Sequence, residues 1–217
     1  MEKVILTAFV LISNFLNAQG VKEMLEADSA VWFGMDFTKA KLIGDFSHPS
    51  TDAKAGELIV RRWIPEWNVL MNKELWNFDI ATAIQKPKLR RETELTAQLN
   101  AQINPDSIHF EEPVNYKFKD PDKQIGEMLL KYHPEKYKAG LGCVFIVESF
   151  NRKAVNANVY FVLFDIATKK LIGYKRFMGN PKGGGIRNYW AGAIKVIIEQ
   201  VTTTGYNAVK WNALKSK

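Results

Sequence analysis

The residues best placed to do chemistry lie in Gly179-Asn180-Pro181-Lys182-Gly183-Gly184-Gly185-Ile186-Arg187-Asn188, a glycine-rich stretch with two cations ahead of an apolar-periodic segment. Glycine lets backbone amides approach a ligand closely, and a helix N-terminus presents unsatisfied N–H groups, so such a loop favours an anion. Gly183, Gly184 and Gly185 would supply the donors, and Lys182 and Arg187 the charge. Nucleotide signatures are not met. A phosphate loop closes on Gly-Lys-Ser/Thr at the helix start, and the dinucleotide fingerprint spaces its glycines G-x-G-x-x-G; this stretch has neither. A simpler account of the same glycines is a tight turn that needs positive φ.

Other chemistry-bearing residues form no local constellation. His48, His109 and His133 lie far apart without H-x-x-x-H spacing, and His48 and His133 each precede a proline, as loop residues do. Glu111-Glu112 and Asp120-Pro121-Asp122 are paired acids in polar segments. Glycoside hydrolysis would need two carboxylates facing each other across a cleft, a property of the fold and not of spacing. Ser47 and Ser149 sit in no G-x-S-x-G elbow. Cys143 stands within Leu141-Gly142-Cys143-Val144-Phe145-Ile146-Val147, an apolar run that points to an inert buried thiol. The expectation is no catalytic set, no metal site and no cofactor.

The elements that must position the loop are clearest in the C-terminal third. Leu141–Glu148, Val159–Ile166 and Lys170–Met178 are strand-like, and the short polar link around Ala167-Thr168-Lys169 makes the last two a hairpin. Val159–Phe164 is apolar on both faces and should lie inside the sheet, covered on both sides. A final helix, opening near Asn188, aligns Trp190, Ile194, Ile197, Ile198 and Val201. Earlier, Ala30–Phe37 is a first core strand. A helix follows Ser50-Thr51-Asp52 and carries Leu58, Ile59, Trp63, Trp67, Leu70 and Met71, with Pro65 kinking or dividing it. Leu89–Ile103 fits either a helix face or strand alternation, with strand preferred. Asp120-Pro121 caps a short helix bearing Ile125, Met128 and Leu129. The expected fold class is α+β: a mixed, mostly antiparallel sheet with a C-terminal β-hairpin-helix and helices packed on the sheet.

The chain opens Met1-Glu2-Lys3 and continues through an apolar run, Val4–Ile12, which breaks at Ser13-Asn14. That run has the length of a secretory leader core and falls short of the roughly 20 apolar residues of a membrane span. Residues 1–18 are therefore expected to be a signal peptide and 19–217 a single α+β domain, with cleavage after Ala18 preferred and Gly20 as the other candidate. The only cysteine is Cys143, so the junction offers no thiol to a lipid, and no internal disulfide can form. The net charge of +7 points to anionic envelope surfaces or acidic partner proteins and not to nucleic acid, which is rarely met outside the cytoplasm. The basic residues are also dispersed, as on any solvated face.

The stretch from Val159 to Ile198, with its Phe164-Asp165-Ile166-Ala167-Thr168 turn and its Gly184-Gly185-Ile186-Arg187-Asn188-Tyr189-Trp190 segment, resembles a group of uncharacterised exported proteins of Gram-negative bacteria. Trp32–Gly44 is similar to their first strand. In layout these are similar to small α+β envelope modules, including the outer-membrane lipoproteins that activate peptidoglycan synthases. The resemblance implies docking on partners and supplies no catalytic residues; the absent lipidation cysteine puts outer-membrane anchoring in doubt. The expected function is an exported binding or assembly module of the periplasm or beyond, non-catalytic and without stable membrane insertion, with an envelope protein or anionic envelope component as partner and self-association open. The competing expectation is an envelope hydrolase, which a pocket gathering His109 or His133 with Glu111 or Glu112 would favour.

Overall fold

The computed structural model describes residues 20–112 and 115–215. The leader expected over residues 1–18 lies outside the described residues. A helical segment, α1 (20–26), leads into seven strands that form one sheet. They are β1 (Ser29–Asp36), β2 (Lys41–Ile43), β3 (Lys88–Arg91), β4 (His109–Phe110), β5 (Leu141–Asn151), β6 (Asn156–Asp165) and β7 (Leu171–Gly179). β5 takes β1 along the first half of one edge and β2 along the second, with Val31 opposite Gly142 and Lys41 opposite Ser149. Outward from these lie β3, beside β1, and β4, beside β2. The other edge of β5 carries β6 and then β7.

This arrangement overturns the mostly antiparallel sheet. β1–β3, β1–β5, β2–β4 and β2–β5 all pair in parallel, and only β5–β6 and β6–β7 are antiparallel. The main sheet is parallel, because β2 continues in the direction of β1 along β5 and helices return the chain to its starting end before β3, β4 and β5. They include α2 (Ala55–Leu58), α3 (Ile64–Lys73) and α4 (Ile80–Ala83) before β3, α5 (Thr93–Ala101) and α6 (Pro105–Ile108) before β4, and α7 (Pro121–Leu129) before β5. The tight hairpin logic holds only for the chain after Leu141. The preference for strand over Leu89–Ile103 also fails: β3 ends at Arg91, and α5 occupies most of that stretch. Its buried residues there are Thr96 and Asn100, so polar groups face inward and hydrophobic periodicity misleads.

α2 opens past Ser50-Thr51-Asp52, with Lys54 at its N-cap and no side-chain cap, so that cluster does not cap it; the cap on the helix after Asp120 and the disturbance at Pro65 hold. Asp120 caps α7 by accepting from the Lys123 amide at 3.1 Å, with Pro121 in the first turn. Between α2 and α3 the chain widens into a π-helical segment, Ile59–Trp63, just ahead of Pro65. Proline has no N–H to return to the turn behind it, and its ring crowds the carbonyl four residues back, so the wider turn absorbs both effects. α8 (Gly185–Gln200) passes through a second π segment, Val201–Gly205, into α9 (Tyr206–Lys215).

Both sheet faces are covered. On one, Trp32, Phe145, Val147, Phe150, Val159 and Phe161 pack beneath α3, α8 and α9; on the other, Phe33, Val144, Ile146, Val162 and Phe164 meet α7 and Tyr132. β6 is buried along both faces, as its sequence demands. Cys143 is fully buried in β5, and burial raises its thiol pKa far out of reach of neutral pH.

β3 pairs with β1 only from Ser29 to Trp32, which leaves the rest of that β1 edge buried without a strand partner. Helix side chains complete it. Asn68 of α3 accepts from the Met35 amide (2.8 Å) and donates to the Met35 carbonyl (3.1 Å). Asn100 of α5 accepts from the Phe37 amide (2.8 Å) and also donates to the Met35 carbonyl (2.9 Å). Thr96 donates to the Phe33 carbonyl. Gly34, at φ +88°, is where the approach is closest: a Cβ there would lie 2.7 Å from Asn68 Oδ1.

Lys86, 1 % exposed, donates to the Leu25 and Ala27 carbonyls and so caps the end of α1. Burial, with the Lys210 charge adding to it, pushes its pKa down to about 8.

Two outcomes follow from these contacts. Asn100→Leu strands the Phe37 amide and is expected to destabilise the chain by roughly 2 kcal/mol or more in urea unfolding. For Lys86 the folded pKa lies below the unfolded value of 10.5, so the unfolded chain holds the proton more tightly between the two. Stability should therefore rise as pH climbs from about 8 to about 10.5, and Lys86→Met should lose that slope in urea midpoints taken across the window.

Candidate functional site

β2 and β5 run in the same direction, and β7, two antiparallel steps from β5, shares it. Their carboxyl ends therefore lie at one end of the sheet, the place where parallel sheets leave a crevice. A cleft of about 860 Å³ opens there. The segment after β2 supplies Asp45, Ser47 and His48; the turn after β5 supplies Arg152; the loop after β7 supplies Gly183, Gly184, Gly185 and Arg187. Arg62, Trp63 and Glu66 reach it from the π segment and α3.

Each wall is fixed by a backbone contact. Trp67 Nε1 donates to the Arg187 carbonyl (3.0 Å), and the Lys182 amide to the Tyr189 carbonyl (3.2 Å). Gly183 and Gly185 have φ of +131° and +69°, the region the sequence reserved for glycine. Opposite, Asp45 accepts from the Ser47 hydroxyl (2.6 Å) and amide (2.8 Å), and these bonds hold its carboxyl below the usual carboxylate range. Arg152 Nη1 donates to the Asp45 carbonyl at 2.6 Å. Trp63 Nε1 donates to the Phe46 carbonyl at 3.3 Å. Beneath, Trp190 stacks on Phe150 (4.6 Å between ring centroids) and on Phe46 (5.7 Å), each such pair contributing about 0.5–1.5 kcal/mol beyond its buried area.

The electrostatics favour an anion. α8 is a 16-residue helix whose N-cap, Gly184, makes no side-chain cap, and Gly184 and the first helical residues, Gly185, Ile186 and Arg187, line the cleft. Arg62 lies 4.4 Å from the Trp63 ring and donates to Glu66 (3.2 Å); Arg152 lies 3.9 Å from the Asp45 carboxylate. The arginine side chains of these pairs are 42% and 45% exposed. Exposed pairs contribute about 0–1 kcal/mol to stability. Asp45 and Glu66 line the same cleft and offset Arg152 and Arg62, so the unbalanced positive charge is that of Arg187, which joins no ion pair among the described residues.

Of the residues picked out in the sequence, Ser47, His48, Gly183, Gly184, Gly185 and Arg187 line the cleft; Lys182 is exposed beside them but is not among the lining residues. The pairs that a hydrolase would have needed, His109 or His133 with Glu111 or Glu112, do not gather; His48 instead lines the cleft with Asp45 and Glu66. His109, on β4, is held by the Gly44 carbonyl at 2.8 Å, and Glu111 and Glu112 beyond it are exposed. His133 lies near Ile166, whose amide bonds Gly140 at the amino end of β5, so it sits at the other end of the sheet. Among the described residues no group of three or more His, Cys, Asp or Glu could hold a metal ion. Sequence reasoning passed over Asp45, Arg62, Glu66 and Arg152, which come from separate segments with no shared motif; only His48-Pro49 and the Arg61-Arg62 pair stand out in their neighbourhoods.

No protein-family model matches this chain, and no curated protein matches it.

Gly192 controls the loop. A Cβ there would meet the Lys182 carbonyl at 2.1 Å. Inside a helix, Gly→Ala normally stabilises by about 1 kcal/mol. Gly192→Ala is expected to do the reverse, lowering the melting temperature and shifting the amide resonances of Gly183–Arg187.

Proposed function

We propose that the chain is a binding or assembly module of the cell envelope, acting non-catalytically in the periplasm or outside the cell, whose cleft takes an anionic group. The observation that carries this reading is the convergence of Arg62, Arg152 and Arg187 with the uncapped start of α8 on one cleft at the carboxyl ends of β2, β5 and β7. Guanidinium groups suit phosphate and carboxylate because their N–H bonds form a planar fork. The apolar run over Val4–Ile12 supports export, and the net charge of +7 supports an anionic envelope component or acidic envelope protein as partner. No helix among the described residues is long and apolar enough to cross a membrane, which agrees with a partner met from the aqueous side.

Trp63 and Trp190 line the cleft and provide an intrinsic fluorescent probe. In a titration with inorganic pyrophosphate at low salt, Arg187→Glu is expected to weaken binding by about tenfold or more, the loss of one charge-assisted contact. Lys182→Glu, outside the lining, should stay within about threefold, the effect of a rim charge. Equal losses at both positions would move the anion away from the cleft and onto diffuse surface charge.

A further inference from the structure

Across the turn between β5 and β6 from the arginine cleft lies a second cavity, of about 440 Å³, against Ile43 and Asn151. Its size falls within the roughly 300–1,000 Å³ of small-molecule sites, but its lining is polar where such sites are mostly apolar. Arg176, Ser149, Asn156 and Asn158 form much of it, and Tyr116 adds an aromatic ring.

The wall is built around a carboxylate with no exposure at all. Glu148 accepts from the Phe118 amide (2.9 Å), the Tyr160 hydroxyl (3.1 Å), and Arg176 Nε (2.9 Å) and Nη2 (2.5 Å). Burying an ion pair is on balance no gain over apolar packing, because both charges lose their hydration. What this pair does is lock the guanidinium plane. Arginine has five N–H bonds, and Glu148 takes two, so three remain on a side chain that is one-third exposed and lines the cavity. The carboxylate also cancels the charge of Arg176, so its free N–H bonds act as oriented neutral donors, and the remaining charge in the lining is the exposed, solvated Lys117.

Beside them, Ser149 and Asn158 face each other in register, at 2 % and 8 % exposure. Asn158 Nδ2 donates to Ser149 Oγ and to Asn156 Oδ1, both at 3.1 Å. That commits both amide N–H bonds and leaves the Asn158 carbonyl oxygen as an acceptor and the Ser149 hydroxyl as a donor. Donors and acceptors thus alternate along one wall. An anion would leave the acceptors unpaired, and an apolar ligand would leave both kinds unpaired, at about 1–3 kcal/mol for each buried group. Hydroxyl groups, which donate and accept at once, satisfy both. From this alternation we infer that the cavity binds a neutral polyhydroxylated ligand, a sugar unit of a glycan, with Arg176 and Asn158 as the residues that hold its hydroxyls.

The test uses the full-length folded chain, labelled with nitrogen-15, titrated with glucose, N-acetylglucosamine and maltose. At least one is expected to bind saturably, with a Kd on the order of 1 mM, shifting the side-chain amide resonances of Asn156 and Asn158. Arg176→Lys keeps the charge and loses the fork, and Asn158→Leu loses the acceptor; each should raise that Kd by about tenfold. Should Asn158→Leu fail to fold, Asn156→Ala, nearer the surface, carries the same expectation. Overturning results are no saturable shift with any of the three sugars, shifts confined to the Gly183–Arg187 loop, or variants that bind as the parent does.

Discussion

Everything at the carboxyl end of the sheet depends on how the open edge of β1 is closed. A buried strand that loses its neighbour halfway along must find partners for each free amide and carbonyl. Here the side-chain amides of Asn68 and Asn100 and the hydroxyl of Thr96 provide them. An asparagine offers one donor end and one acceptor end about as far apart as those of a peptide, so it can stand in for a short piece of strand. The substitution fixes two helices as well. α3 and α5 are held at hydrogen-bonding distance from β1, closer than apolar contact would require, and Gly34 permits the approach.

The position of α3 in turn sets the cleft. Trp67, one residue before Asn68, anchors the Arg187 carbonyl, and Trp63, one turn earlier, anchors that of Phe46. The two loops forming the cleft walls thus hang from one helix, which is itself registered on the β1 edge. The π segment before Pro65 turns Arg62 and Trp63 toward the cleft while the following turn keeps Trp67 and Asn68 inward. A packed frame of this kind presents a site whose geometry exists before the ligand arrives.

What the sequence disclosed follows from which physical signals are local. The β5–β6–β7 unit and α8 were legible because each carries its own periodicity: the doubly apolar Val159–Phe164, the Asp165–Lys169 turn, and the Trp190-Ile194-Ile197-Val201 stripe. The Asp120 cap and the positive φ of Gly183 and Gly185 were equally local. Strand direction was not. Ala30–Phe37 and Leu141–Val147 are apolar on both faces, but so is Val159–Phe164, which pairs antiparallel on both edges; double burial reports layers on both sides of the sheet and leaves strand direction open. Helix α5 was hidden because its inward residues, Thr96 and Asn100, are polar and serve a backbone no local window contains. The cleft was legible only in its glycine loop. Arg62 and Arg152 stand ninety residues apart and meet only through the fold.

The cap on α1 bears on the order in which the molecule assembles. Leu25, packed in the core, receives a hydrogen bond from the hydroxyl of Tyr206, a closure that spans 181 residues. β1, just downstream, finds its central partner only in β5, more than a hundred residues later. Loop closure on that scale must be met before such contacts return any free energy. In a chain made from its N-terminus, α1 and β1 therefore lack part of their native contacts until β5 and α9 have been made. Leu25 and β1, though early in the chain, are thus among the last parts to reach all of their native contacts.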